Sequence, residues 1–322
     1  MTNSDSSDAV AEVDVIIDGI TNEADGIISL TFASLTGDKM PRWEPGAHID
    51  VLLGPELERQ YSLCGDVNDE RTLRVAVLRE PDSRGGSQWV HERLSVGDKI
   101  RIRGPRNHFR LVEAQEYLFI AGGIGITPIL PMIADCEARG SRWSLVYGGR
   151  STDSMAFTTQ LAKHQDRVRF WPQDENGHID IRGFLGDPRP GTAIYCCGPG
   201  PLLDAVEDVC SQWPTDALHL ERFRPRAGAM EGPESPFEVE LEQSNMVVTV
   251  AVGQTIVDAC KSAGVHIPTS CGEGTCGTCE TVVLEGVPEH RDSYLTAQER
   301  ESNEVVMPCC SRSRTSRLVL DL

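Results

Sequence analysis

The sequence has little positive charge, no long apolar run and no secretion signal where it begins. Its 322 residues include 30 Lys and Arg against 49 Asp and Glu, a formal net charge of −19 at pH 7. This balance disfavours nucleic acid as a partner, because phosphates need a basic surface. No apolar run is long enough to span a bilayer, so we expect no membrane association. The first residues are polar and acidic, and we expect a flexible tail at 1–12 and a cytoplasmic protein.

Several chemical signatures are also missing. The chain has no G-x-G-x-x-G dinucleotide fingerprint, no phosphate P-loop and no set of Ser, His and Asp that indicates a hydrolase. It has no internal repeat and no coiled-coil pattern, which favours a monomer. Function must therefore be sought in other residues.

Cysteine is plentiful, and it is concentrated in one short stretch. Eleven cysteines in a cytoplasmic protein are unlikely to form a disulfide framework, since thiols are kept reduced there. The stretch "SCGEGTCGTCE" places Cys271, Cys276 and Cys279 at the spacing C-x4-C-x2-C, and Cys309 follows in "VVMPCCSRS". This is the plant-type spacing for a [2Fe–2S] cluster. Structural zinc is the alternative, but it usually needs two C-x2-C pairs. Cys310 is adjacent to Cys309 and is the alternative fourth ligand, but alignment with the motif favours Cys309.

The glycines of the same stretch fit a cluster. A cluster held by four thiolates is anionic, and backbone N–H groups that point at its sulfurs stabilise that charge. Gly272, Gly274 and Gly277 allow the backbone to wrap inwards without side-chain clashes. The loop is therefore expected to bind with its backbone as well as with its thiols.

The chain divides at "RPRAGAMEGPESP", where no apolar period continues. We predict a linker at 227–236. Short alternating runs such as "HIDVLL" predict an antiparallel β-barrel at 13–110. Strand–loop–helix repeats such as "EYLFIAGGIGITP" predict a parallel α/β domain at 111–226. Paired strands and one short helix predict a small α+β domain at 237–322.

Residues 237–322 resemble a plant-type ferredoxin of the β-grasp fold, most clearly in "CGTCETVVLEG" and "HRDSYLT". Behind the two preceding domains, they make nearly the whole chain resemble the phthalate dioxygenase reductase family, which includes vanillate demethylase reductases. The resemblance implies a multidomain protein with a flavin-binding barrel, a nicotinamide-binding α/β domain like that of ferredoxin reductases, and a ferredoxin domain.

Two stretches of the barrel resemble flavin-binding motifs. In "RQYSL", the resemblance places Arg59 near a phosphate, Tyr61 against the flavin ring and Ser62 near the reactive flavin nitrogen. Each role suits its side chain, because Arg is a forked phosphate donor and an aromatic ring packs against a flat ring. Taken alone, a buried Tyr in a strand explains this pattern equally well.

The second stretch is "RGGSQWVHERL", whose glycines and Ser87 open a helix that can receive a phosphate. An ordinary capped helix start is the alternative here. The resemblance adds the strand "RVAVLR" beside the flavin ring. It also implies FMN, which the resembled family uses. The chain shows no clear surface for the adenine of FAD, which favours FMN as well. The further flavin-site candidates are Arg84, Gly85, Gly86, Ser87, Val77 and Leu78.

"AGGIGITP" resembles the glycine loop of ferredoxin-reductase-like nicotinamide domains. Gly123 and Gly125 would allow close approach of the dinucleotide, and Thr127 would begin a helix that faces its pyrophosphate. A tight strand–helix turn without a ligand remains the alternative.

"YCCGPGPLLDAV" resembles a motif whose cysteine lies near the reacting nicotinamide carbon, here Cys197. A buried structural cysteine is the alternative. Gly198 and Pro199 would form the turn, and Leu202 would flank the dinucleotide. Arg150 is a candidate for ribose or phosphate binding.

"LHLERF" resembles the end of such a domain, with Glu221 and Phe223 near the flavin edge. The catalytic candidates are thus Ser62, Cys197 and Glu221. NADH is favoured over NADPH, because Asp153 follows Arg150 and no second cation lies nearby to hold a 2′-phosphate.

Electron counting orders these parts. NADH delivers two electrons together and a [2Fe–2S] cluster accepts one at a time, so a flavin must stand between them. The resemblance names the final acceptor as the Rieske-type terminal oxygenase of an aromatic hydroxylase or O-demethylase system. The chain itself has no Rieske pattern of paired Cys and His, which places oxygen chemistry in another protein. The alternatives are a haem-thiolate monooxygenase as partner, or a redox sensor with a structural cluster.

Charge adds one further expectation about the partner. Residues 234–322 hold 14 Asp and Glu against 6 Lys and Arg. Solubility alone explains this excess. A docking face for a basic protein partner is the alternative, and the local imbalance favours it somewhat.

Overall fold

The computed structural model describes residues 12–54, 57–81, 85–164 and 166–322. The chain forms two compact units, Met1–Glu221 and Arg222–Leu322. Within the described ranges, no helix is long and apolar enough to cross a membrane. Residues 1–11 of the predicted tail lie outside the described ranges, as does Arg84.

The first unit begins with an antiparallel barrel. Its elements are β1 (Glu12–Ala24), β2 (Ile27–Ser34), β3 (His48–Gly54), β4 (Leu57–Ser62), β5 (Thr72–Leu78), α1 (Gly86–Arg93) and β6 (Lys99–Arg106). The strand order is β4-β3-β6-β1-β2-β5. A bridge between Leu63 and Val75 joins the end of β4 to β5 and closes the sheet. Alternate residues of β3, Ile49, Val51 and Leu53, are buried in its core, as period-two alternation requires. The predicted barrel is confirmed.

A parallel α/β domain completes the first unit. Its elements are β7 (Glu116–Gly122), α2 (Ile129–Arg139), β8 (Arg142–Gly149), α3 (Thr158–Leu161), β9 (Val168–Pro172), α4 (Gln173–Asn176), α5 (Ile181–Leu185), β10 (Thr192–Cys197), α6 (Gly200–Cys210) and β11 (Leu218–Glu221). The strand order is β11-β10-β7-β8-β9, all parallel. The order reverses between β7 and β10, and such a switch point opens a crevice at the carboxyl ends of the strands.

The barrel and the parallel sheet share one hydrophobic core. Ile27, Cys64 and Ala76 of the barrel pack in the same buried cluster as Ile126 and Met132 of the α/β domain. This common core fixes the barrel against the carboxyl ends of the parallel strands.

One tyrosine ties the connecting segment to the sheet. The hydroxyl of Tyr195 donates to the carbonyl of Arg110 at 2.8 Å and accepts the N–H of Val112 at 2.7 Å. The ring of Tyr195 also meets Phe109 edge to face, with centroids 5.3 Å apart. The chain therefore leaves the barrel in a defined direction.

The second unit has the predicted β-grasp form. Its elements are β12 (Phe237–Leu241), β13 (Met246–Val250), α7 (Ile256–Ser262), β14 (Thr281–Glu285), β15 (Pro288–Glu289), α8 (Ala297–Ser302), β16 (Val305–Val306), β17 (Arg312–Ser313) and β18 (Arg317–Leu320). The main sheet has the order β13-β12-β18-β14-β16, with β12 and β18 parallel. Thr255 and Asp258 cap α7 reciprocally, and Ile256 and Cys260 of this helix are buried in the core.

The segment predicted as a linker is attached to the second unit. Buried Arg291 donates to the carbonyl of Pro233 at 2.9 Å, and buried Arg312 donates to that of Ser235 at 3.0 Å. Glu234 accepts the N–H of Gly253 at 2.6 Å. The end of this segment is therefore part of the folded unit, although its composition is that of a flexible linker.

Candidate redox sites

The three catalytic candidates lie together in the first unit. Ser62 ends β4, Cys197 ends β10 and Glu221 ends β11. Parallel pairing places Cys197 opposite Glu221. The Ser62 hydroxyl donates to Oε2 of Glu221 at 3.5 Å, and the Cys197 thiol donates to the same oxygen at 4.0 Å. Residues far apart in sequence thus form one polar group where the barrel meets the sheet.

Burial keeps this group neutral. Part of the Glu221 residue reaches the surface, but its carboxyl group is buried, which raises its pKa to about 8 against the opposing hydrogen bond from Ser62. Burial, together with the nearby Glu221, raises the pKa of Cys197 well above its usual range. At neutral pH both groups therefore hold their protons.

Arg59 and the start of α1 form a place for a phosphate. The helix begins at Gly86, after Gly85 with a φ of 87°. A Cβ atom at Gly86 would lie 2.5 Å from both Cγ and Nε of Arg59, so the arginine side chain lies directly over the first turn. A cation beside helix N–H groups suits an anion. These residues fit the phosphate of a flavin mononucleotide.

The other candidate flavin-binding residues lie near this candidate phosphate site. Ser87 Oγ accepts the N–H of Glu80 at 3.1 Å and so links the end of β5 to α1. Val77 is buried, while Leu78 is partly buried against the shared core. Tyr61 packs partly against the barrel core, and burial raises its pKa. The side chain of Val77 is directed into the barrel core, and its carbonyl oxygen lies 2.9 Å from Nε2 of His91 on α1.

The two glycine loops of the α/β domain pack against each other at the switch point. A Cβ atom at Gly125 would lie 2.2 Å from the carbonyl oxygen of Cys197. One at Gly122 would lie 2.7 Å from Pro199 and 2.8 Å from Leu202. The sequence motif predicts close approach of the dinucleotide at Gly125 and does not single out Gly122. The close packing of the two loops requires glycine at both positions, even without a bound dinucleotide.

The remaining nucleotide candidates line the same edge of the sheet. Thr127 is buried, and its hydroxyl donates to the carbonyl of Ile124 at 2.9 Å, which completes a 3₁₀ turn at Gly123–Ile126 before α2. Gly123 has a φ of 55° with open space where a Cβ would stand. Gly198 contacts Gly122 across the switch point.

Arg150 follows β8 and is exposed. Its carbonyl accepts the N–H of Asp174 at 3.1 Å, so an acidic residue after β9 lies beside it. Asp174 could not be predicted from the sequence, because only the parallel pairing of β8 and β9 brings it there. Phe223 is 40% exposed and belongs to the second unit, and its proposed place at the flavin edge stays a prediction.

The second unit gathers the four predicted ligand cysteines. Cys271 has hydrogen-bonding contacts with Cys276 and Cys309, and Cys279 has one with Cys309. Hydrogen bonds from Cys276 and Cys309 hold the pKa of Cys271 well below its usual range. Among the described residues, no group of three or more His, Cys, Asp or Glu is arranged to hold a single metal ion. A two-iron cluster takes two thiolates on each iron, and the pairwise contacts of these four cysteines fit that pattern.

Backbone groups of the cysteine loop point at sulfur. The N–H groups of Glu273 and Thr275 donate to Sγ of Cys271 at 3.3 and 3.5 Å. Gly272, Gly274 and Gly277 all have φ near +70°, which L side chains rarely adopt. The expected wrapping of the backbone is therefore present, and the loop fits an anionic cluster.

The "HRDSYLT" stretch holds this loop in place. Asp292 accepts the N–H groups of Tyr294 and Leu295, at 3.1 and 2.9 Å. The N–H of Ser293 donates to the carbonyl of Gly274 at 2.8 Å. A Cβ atom at Gly277 would lie 2.5 Å from the ring of Tyr294. The motif quoted from the sequence therefore supports the cluster loop.

Comparison with known proteins agrees with this arrangement. Residues 239–314 match the 2Fe-2S iron-sulfur cluster binding domain, and residues 119–208 match the oxidoreductase NAD-binding domain. The chain is 41% identical over 317 residues to the phenoxybenzoate dioxygenase subunit beta of Ectopseudomonas oleovorans. That alignment covers 97% of this chain and 98% of the relative.

Several solved structures are similar over 97% of this chain, and two of them bear on its function. One is phthalate dioxygenase reductase, described as a modular structure for electron transfer from pyridine nucleotides to [2Fe–2S]. It is 32% identical, with a TM-score of 0.71 and 98% of its length covered. The other is an intact type IV self-sufficient cytochrome P450 monooxygenase, 42% identical with a TM-score of 0.87. This chain spans only 41% of that longer protein.

Proposed function

Because this chain belongs to the phthalate dioxygenase reductase family, we propose that it carries electrons from NADH through FMN and its [2Fe–2S] cluster to a separate terminal oxygenase. The observation that carries the proposal is the meeting of Ser62, Cys197 and Glu221 beside the switch point of the nicotinamide domain. When bound, the flavin takes two electrons from NADH at once and gives them up singly, as the cluster requires.

The residues of the first unit bring the two ring systems together. Arg59 and the first turn of α1 hold the FMN phosphate, and Tyr61 packs against the ring. The loops around Gly125 and Gly198 admit the dinucleotide at the carboxyl ends of β7 and β10.

Glu221 and Ser62 supply and receive protons in this reaction. Glu221 holds its proton at neutral pH and can donate a hydrogen bond without adding charge. Ser62 can turn its hydroxyl from Glu221 towards a flavin nitrogen. Cys197 is uncharged, and its sulfur would lie near the nicotinamide carbon when the dinucleotide is bound.

We propose NADH rather than NADPH as the electron donor. Asp174 lies beside Arg150 at the carboxyl ends of β8 and β9. A carboxylate at that edge disfavours a 2′-phosphate and can accept a hydrogen bond from a free 2′-hydroxyl.

We propose a Rieske-type terminal oxygenase as the partner, and a monomeric, cytoplasmic reductase. The oxygenase is supported by the relative named as a dioxygenase subunit and by the dioxygenase reductase structure. The location is supported by the cysteines, all eleven of which are free thiols in the described chain. A haem-thiolate monooxygenase is the second candidate partner, which the similarity to the self-sufficient P450 favours.

Anaerobic stopped-flow mixing with NADH tests the pathway. We expect the flavin absorbance to bleach first and the cluster absorbance to fall afterwards. Subsequent mixing with a purified Rieske oxygenase, and separately with a haem-thiolate monooxygenase, identifies the acceptor. A cluster that stays oxidised while the flavin is fully reduced would refute the proposed order.

A further inference from the structure

The second unit presents an aliphatic strip on the outer face of its main sheet, formed by Val247, Val282, Leu284 and Val319. The first three of these side chains are 55%, 47% and 52% exposed. Leu320 on β18 is fully buried on the core side of the sheet, so its neighbour Val319 points to the outer face. Aliphatic side chains that cluster on a surface, rather than standing singly, indicate contact with another molecule.

Strand register joins these side chains into one row. Glu240 on β12 lies opposite Val247 on one side and opposite Val319 on the other. Val319 in turn lies opposite Glu285, and an irregularity of β14 just before this residue places Leu284 beside the same position. Directly opposed residues share one face of a sheet. The aliphatic strip therefore runs across four strands, from β13 to β14.

The aliphatic strip begins close to the cluster loop. Val282 follows the candidate ligand Cys279 by three residues, which span at most about 11 Å of backbone. Thr281 and Val306, which lie opposite each other, are both buried on the core side, so Val282 points outward. A protein docked on the strip would therefore lie near the cluster.

Carboxylates without an ion-pair partner lie beside the aliphatic strip. Arg317, which lies opposite Glu238, is paired with Glu240. Among the described residues, the exposed Glu238 and Glu285 form no ion pair of their own. Free carboxylates beside an apolar surface favour a partner whose apolar contact patch is surrounded by Lys and Arg.

This chain does not supply that positive charge itself. Residues 1–221 hold 21 Lys and Arg against 34 Asp and Glu, a net charge of −13. Residues 222–322 hold 9 against 15, a net charge of −6. A second copy of the chain would therefore repel this face through its overall charge. Charge complementarity favours a different protein with a basic surface.

We propose that the aliphatic strip, together with Glu238 and Glu285, is the docking face for the terminal oxygenase, which contacts it through an apolar patch rimmed by Lys and Arg. The aliphatic side chains set the strength of the complex, whereas the carboxylates set its rate of formation and its dependence on salt. This inference rests on the proposed function, because it names where the electron acceptor of that function binds.

The test measures electron transfer from the cluster to cytochrome c, a basic protein used as the acceptor. The intact holoprotein is reduced anaerobically with stoichiometric dithionite and mixed with cytochrome c in a stopped-flow instrument at several salt concentrations. Val282→Thr combined with Leu284→Thr keeps residues that favour strands but removes apolar surface. This double variant should lower the second-order rate about fivefold without changing its salt dependence.

Glu238→Gln combined with Glu285→Gln tests the charges. At low salt the rate should fall about twofold for each carboxylate removed, and its dependence on salt should become weaker. Val96→Thr and Glu113→Gln are the matched controls, because they make the same kinds of change at exposed positions of the first unit. Their rates should equal that of the parent protein.

Parent-like rates in both double variants would overturn the inference, and so would equal losses in the control variants. A parent protein that elutes as a dimer, and becomes monomeric when Val282 and Leu284 are replaced, would assign the strip to a second copy. Unchanged rates with earlier unfolding of the first unit in denaturant would assign it to that unit. Reduction of FMN by NADH, recorded on the same samples, tests the proposed function separately, because dithionite reduction does not need it.

Discussion

Glu221 shows how position alone changes the chemistry of a residue. An ordinary glutamate is charged at neutral pH, but burial at the end of β11 raises the pKa of this one to about 8. Below that pH the carboxyl is neutral and can donate. Above it the carboxylate adds a negative charge where electrons arrive, which opposes reduction of the flavin.

The pH dependence of flavin reduction follows from this shift. The rate with NADH should be constant at neutral pH and fall as pH rises through about 8, because Glu221 then loses its proton. Glu221→Gln keeps the shape without an ionisable group, so its rate should show no fall near pH 8. Stopped-flow rates between pH 6 and 9 check this. Identical profiles in both proteins would assign the transition to another group.

At the residue scale, the sequence predicted which residues form the site better than it predicted the contacts of those residues. Ser62, Cys197 and Glu221 were found through motifs, and the structure brings them within hydrogen-bonding reach. The packing of Cys310 against Gly274 could not be predicted, because spacing along the chain does not reveal which way a thiol points in a turn.

At the scale of elements, the switch point depends on two glycines that lack room for a side chain. Gly125→Ala would place a Cβ 2.2 Å from the backbone oxygen of Cys197, which can move only with β10. We expect a loss of about 1–3 kcal/mol in the free energy of unfolding, the usual cost of overpacking. The apparent affinity for NADH should fall as well. Denaturant unfolding and NADH titration measure both effects.

Gly200→Ala is the matched control for this substitution. Gly200 begins α6 in the neighbouring loop, and a Cβ there would meet nothing within 4 Å. Its unfolding free energy should match that of the parent protein. Equal losses at both positions would show that the crowding at Gly125 is not the cause.

Asp174 gives a prediction for nucleotide choice at the ends of β8 and β9. Asp174→Asn removes a negative charge beside Arg150, so the preference for NADH over NADPH should decrease. A charge near a surface contributes on the order of 1 kcal/mol, so kcat/KM for NADPH should rise about fivefold. Steady-state kinetics with both nucleotides measure this ratio. Asp187→Asn, between α5 and β10 at the amino ends of the strands, should leave the ratio unchanged.

The segment before β12 shows why element boundaries were harder to predict. Its Gly and Pro content is typical of a linker, and the contacts that hold it come from arginines far along the chain. No local pattern reveals such long-range pairing. The period-two alternation of β3, by contrast, predicted its buried face directly.

At the scale of the whole molecule, two separately folded units should lose stability separately. Arg291 is buried and binds Glu289, the carbonyl of Pro233 and Glu234. Arg291→Ala leaves these groups without their donor and should cost about 3–5 kcal/mol in the second unit. Denaturant should then release the cluster earlier, while flavin fluorescence reports an unchanged first unit. Exposed Arg314→Ala is the control, and simultaneous loss of both signals would contradict independent unfolding.

Because the candidate sites lie in separate units, we can predict which reactions remain when the cluster is lost. The residues that we propose for NADH and FMN lie in the first unit, whereas the four proposed ligand cysteines lie in the second. Cys309→Ser should therefore leave flavin reduction by NADH at its original rate and sharply reduce electron delivery to cytochrome c. Cys260→Ser, on α7, should preserve both reactions. Because the flavin needs no thiol from the second unit to accept electrons, equal loss of both activities in Cys309→Ser would mean that the cluster does not lie downstream of the flavin.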